Sequence, residues 1–95
     1  MRSYRVLVLP AKGKQFISRL MEISSRRVVL RGEQMLPVGM LCDLQIIIPP
    51  LAERMPCATA ELKAEVGEVI FSDGFIRLEC RIKLLGNEAR QLLDA

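Results

Sequence analysis

The sequence predicts an all-β domain of about six short strands, a sandwich or barrel, with a short C-terminal helix, on three observations. Apolar and polar side chains alternate with period two along much of the chain, which puts one set in a core and the other in water. Turn residues separate the alternating stretches at regular spacing, as in sandwiches and barrels. The 95 residues, 51% hydrophobic and 26% charged, are enough for one core, whereas two would leave each half too small to hold together. One domain spanning residues 1–95 is therefore expected.

Taken in order, Arg5 to Leu9 is β-branched and apolar, and Pro10-Ala11-Lys12-Gly13-Lys14 turns the chain so that Gln15 to Ile23 returns. Ser24-Ser25-Arg26 forms the next turn before a strand from Arg27 to Arg31. Gly32 to Gly39 reads as a loop whose Met35, Leu36 and Val38 lid one end of the core. In Leu41 to Ile48, Cys42, Leu44, Ile46 and Ile48 share a face, and Pro49-Pro50 stops the strand because proline cannot donate to a sheet ladder. Leu51 to Pro56 is a loop within the domain.

The clearest alternation comes next. Ala60, Leu62, Ala64 and Val66 interleave with Glu61, Lys63 and Glu65, and Gly67 marks a bulge where the phase slips toward Val69, Ile70 and Phe71. Ser72-Asp73-Gly74 then predicts a tight hairpin, because glycine adopts positive φ without steric cost. The return strand, Phe75 to Leu84, buries Ile76, Leu78, Cys80, Ile82 and Leu84. Only the tail reads as helical, with Asn87 as N-cap, Glu88 in the first turn, and Ala89, Leu92 and Leu93 as an apolar stripe.

Several function classes are disfavoured. No apolar run approaches the roughly 20 residues of a membrane span, and Val6 to Leu9 is too short for the core of a secretory leader, so a cytoplasmic location is expected. Cys42, Cys57 and Cys80 form no Cys-x-x-Cys pair and there is no histidine, so all three read as reduced thiols and no metal or other cofactor is implied. Without histidine, a phosphate-binding glycine loop or a nucleophile elbow, the chain is not read as an enzyme. RNA binding lacks the aromatic platform of the common β-sheet readers, and DNA is not expected as a partner.

The chemistry concentrates in arginines. The net charge is +3, and Arg2, Arg5, Arg26 and Arg27 fall at the N-terminus and at the turn after the second strand. An arginine fork pairs bidentately with a phosphate, so where the arginines gather bears on an anionic partner. The bland alternative is a set of solvated surface arginines.

The order of Glu22-Ile23-Ser24-Ser25-Arg26-Arg27-Val28, then Leu36-Pro37-Val38-Gly39, then Leu44 to Pro49, resembles the PilZ family of cyclic di-GMP receptor domains across nearly the whole chain. The resemblance implies a six-stranded antiparallel β-barrel with a C-terminal helix. It also implies a ligand site made by an Arg-x-x-x-Arg pair ahead of the first strand and an Asp/Asn-x-Ser-x-x-Gly turn. Arg5 takes the second arginine position, Met1 stands at the first, and Arg2 is the nearest substitute. At the turn Ser24 matches the serine, Glu22 replaces Asp or Asn, and Arg27 holds the glycine position. Arg2, Arg5, Glu22, Ser24, Arg26 and Arg27 are thus the ligand-binding candidates.

Each has two readings. Ser24 either donates to a phosphate or stabilises its own turn. Glu22 either accepts guanine N1 and N2 donors or stands in the field of the phosphate. Arg27 removes the conformational freedom or close approach that glycine permits. Tyr4 either stacks on a base or packs on the barrel rim, while Phe16, Phe71 and Phe75 read as core or edge. The function expected is a small stand-alone receptor that binds cyclic di-GMP and relays the signal through contact with a protein partner. The alternative is an adaptor that binds a protein without the nucleotide. Ile47, Phe75 and Val29 fall on outward phases and are expected to form an apolar patch for that partner.

Overall fold

A computed structural model describes residues 4–48 and 58–86. The expected C-terminal helix from Asn87, the Leu51 to Pro56 loop, Cys57 and Arg2 lie outside the described residues. Six strands follow one another: β1 (Arg5–Pro10), β2 (Phe16–Ile23), β3 (Arg27–Gly32), β4 (Leu41–Ile48), β5 (Ala58–Ser72) and β6 (Phe75–Leu85). They close into an antiparallel barrel in the order β1-β2-β3-β6-β5-β4, with β1 pairing both β2 and β4 so that the described sheet has no free edge.

Alternation decides what fills it. Val6 and Val8 from β1, Leu20 from β2, Val28 and Leu30 from β3, Leu44 and Ile46 from β4, Leu62 and Val66 from β5, and Leu78 from β6 make one interior cluster. Ser18 also faces inward, paired with Val6, and is nearly sealed from solvent with no partner for its hydroxyl among the described residues. Its small size matches Gly32 on β3, where a Cβ would come within 3.2 Å of the Ser18 Cβ.

The hairpin follows the sequence closely. Ser72 pairs with Phe75, and Asp73 and Gly74 both take positive φ, 44° and 85°, the two-residue turn that matches the twist of paired strands. The register slips at Gly67, as expected. There Val66 turns to the loop before β4: its N–H donates to the Met40 carbonyl at 2.9 Å and its carbonyl accepts from the Gly39 N–H at 2.7 Å. Two further slips, between Lys63 and Ala64 and between Leu20 and Glu22, have no glycine to announce them.

Three expectations need correction. Of the loop residues Met35, Leu36 and Val38, only Leu36 is buried, as part of the interior cluster; the other two are exposed. Leu84 does not join the core either. It is exposed, since the slip at Lys63/Ala64 shifts the phase of the last turn of the β5–β6 pair. Val29 faces outward but is only 2% exposed, for a reason that belongs to the candidate site. Tyr4 and Phe16 pack against the interior cluster, and Phe71 stands exposed beside the hairpin.

Candidate functional site

At the β2–β3 turn, Ser24 is engaged with its own backbone. Its hydroxyl oxygen accepts from the N–H groups of Arg26 at 3.4 Å and Arg27 at 3.1 Å, and the hydroxyl lies 3.3 Å from the Arg27 carbonyl. The Ser24 N–H donates to that same carbonyl at 2.8 Å. A serine side chain that accepts from two following amides closes a tight turn, so the hydroxyl is already in use.

Arg27 is engaged as well. One guanidinium nitrogen donates to Glu79 Oε1 at 3.1 Å, and the other lies 3.6 Å from Glu22 Oε2. Glu22 and Glu79 are the register partners of Val29 on β2 and β6. A guanidinium that bridges those two carboxylates must therefore pass over Val29, which is how an outward-facing valine comes to be buried. The expected patch of Val29, Ile47 and Phe75 is accordingly not formed: Val29 is roofed by this bridge, and Ile47 and Phe75 are each half-buried. Arg26 is exposed, and its carbonyl accepts from the Ile82 N–H at 2.9 Å, which ties the turn to β6.

Arg5 is elsewhere on the same outer face. It is exposed at the start of β1 and pairs with Arg19 of β2; Arg19 pairs with Arg31 of β3, and Arg31 pairs with Arg77 of β6. Strands about 4.8 Å apart make this a row of arginines about 14 Å long. Arg27 lies on β3 four residues from Arg31, about 13 Å along the strand, so Arg5 and Arg27 do not share one contact point. Of the sequence candidates, Glu22, Ser24, Arg26 and Arg27 come together at the turn, Arg5 stands apart from them, and Arg2 lies outside the described residues.

The row itself is not legible in the sequence. Arg19, Arg31 and Arg77 each sit on an outward phase and look like ordinary solvated charges until the strand registers align them. Arg31 stacks its guanidinium over the Phe75 ring, 4.3 Å from the centroid. Arg77 reaches Glu79 at 3.9 Å, and its Nε is buried with no partner among the described residues. Beside the row opens a groove of about 630 Å³ lined by Arg5, Arg19 and Arg31 together with Phe16 and Phe75.

The two described thiols, Cys42 and Cys80, are held inside the barrel wall. Cys42 and Cys80 are buried and unpaired on β4 and β6, with β5 between them. A hydrogen bond with Cys42 and burial push the Cys80 thiol well above its ordinary range, so it stays protonated and is a poor nucleophile. Among the described residues no cluster of carboxylates and cysteines has the makings of a metal site. No protein-family model, no curated protein and no solved structure matches this chain.

Proposed function

We infer that the chain is a PilZ-type receptor domain that binds cyclic di-GMP without transforming it and passes the signal to a protein partner by surface contact. The observation that carries this reading is the position of Arg5. It heads β1 in register with β2, the strand that runs into the Ser24 turn, on the outside of a closed six-stranded barrel. An exposed guanidinium there can fork onto a phosphate or a guanine edge while the barrel holds its backbone fixed. The reading keeps the domain non-catalytic and cytoplasmic.

A second reading, an adaptor that binds a protein without nucleotide, is favoured by one observation. The Ser24 hydroxyl and the Arg27 fork, which a ligand at the turn would recruit, already serve the turn and the Glu22–Glu79 bridge. Calorimetry separates the two. A receptor gives saturable heat with cyclic di-GMP and a rise in melting temperature that grows with ligand concentration. Neither effect at concentrations near millimolar leaves the adaptor.

A further inference from the structure

Three consecutive cross-strand pairs on one face of the barrel join like charges: Arg5 with Arg19, Arg19 with Arg31, and Arg31 with Arg77. Like charges directly opposite each other destabilise a sheet. Elsewhere on this surface the chain compensates, as where Glu22 and Glu79 hold Arg27 and Glu65 holds Lys83. Among the described residues no carboxylate pairs with Arg5, Arg19 or Arg31. Repulsion left standing along one line, beside a groove, points to an anion that arrives from outside.

The groove narrows the chemistry of that anion. Its volume, about 630 Å³, suits a small ligand, for which sites run about 300 to 1,000 Å³. Arg31 lies over the Phe75 ring, and among the described residues no carboxylate pairs with its guanidinium, so its N–H groups can serve a phosphate. Phe16 adds a second aromatic side chain to the lining, so the groove suits phosphates and a stacked base. The same groove is lined by two carboxylates, Glu33 and Asp73, both exposed. A carboxylate accepts the N1–H and N2–H donors of guanine, whereas adenine presents an acceptor at N1.

We propose that this groove is a guanine-nucleotide site, with phosphates on Arg5, Arg19 and Arg31, the base against Arg31 and Phe75, and its donor edge on Glu33 or Asp73. The site deepens the receptor reading, on which it rests, and moves the main contacts from the β2–β3 turn to the strand faces. Arg19 and Arg31 are exposed, and replacing either relieves repulsion, so the variants retain the fold.

The test is calorimetric titration of the whole chain with GTP, ATP and cyclic di-GMP, each variant first checked for an unchanged melting transition. Wild type is expected to bind the guanine nucleotides at least tenfold more tightly than ATP. Arg19→Ala and Arg31→Gln each weaken binding at least tenfold, Arg27→Ala leaves it within twofold, and Glu33→Gln with Asp73→Asn abolishes the preference for guanine. Absence of saturable binding by either guanine nucleotide overturns the proposal. So does equal binding of ATP, or a loss in Arg27→Ala as large as that in Arg19→Ala. Cyclic di-GMP binding that depends on Ser24 and Arg27 but not on Arg19 or Arg31 sinks the groove while sparing the receptor reading.

Discussion

Leu44→Ala is expected to lower the stability of the domain by about 2 to 5 kcal/mol, measured as a fall in the denaturant midpoint. Leu44 is completely buried in β4, paired with Val8 of β1 on one side and Leu62 of β5 on the other. Its neighbours belong to strands fixed on both sides by the closed ladder, so the barrel cannot collapse into the space the side chain leaves. A domain of this size holds roughly 5 to 15 kcal/mol in all, so the loss is a large part of the total. Leu41→Ala, on the same strand but exposed, is the control and should shift the midpoint by no more than about 0.5 kcal/mol. Equal effects from the two would mean that the interior of the barrel is not where the alternation places it.

Arg5→Ala is expected to weaken cyclic di-GMP binding at least tenfold, about 1.4 kcal/mol, with little change in stability. The side chain is exposed and belongs both to the row of arginines and to the groove, so any ligand that uses this face meets it. A charge-assisted contact contributes about 1.5 to 3 kcal/mol, enough for the loss to be read from one titration. Lys63→Ala removes the same charge from β5, whose Lys63 pairs with Asp43 of β4 on another part of the barrel. That change should leave affinity within about twofold at ordinary salt, where charges more than about 8 to 10 Å apart are screened. Parallel losses in both variants would reduce the attraction to diffuse charge.

The parts of the fold that could be read in the sequence were those governed by local chemistry. Asp73-Gly74 fixed a hairpin because both residues had to adopt positive φ, and Gly67 marked a slip because a strand tolerates glycine poorly except at such a place. The slips at Met21 and at Lys63/Ala64 carry ordinary residues and arise from how the barrel closes, so no local signal announces them. They matter to the site. The slip near Met21 sets Glu22 opposite Val29 and so delivers it to Arg27.

The same division holds for the candidate residues. Alternation showed that Val29 faces outward, yet its burial depends on a bridge between residues of three strands, which periodicity does not encode. Arg5 came from the resemblance, which places an arginine just ahead of the first strand. Arg19, Arg31 and Arg77 were legible one by one as outward charges, but their alignment is a property of register, fixed by turn lengths and bulges together. The resemblance matches Ser24 and sets Arg27 at a glycine position of the turn, where the structure commits both to bonds within the protein.

The most direct test of a nucleotide-binding face centred on Arg5 is a titration of the isotope-labelled domain with cyclic di-GMP, followed by amide chemical shifts. The account predicts saturable shifts at Arg5, Arg19, Arg31 to Gln34 and Asp73 to Phe75, with smaller ones at the β2–β3 turn and none at Gln45, Glu61 or Lys63. No shifts at millimolar ligand, or shifts confined to the β4–β5 face, would contradict it.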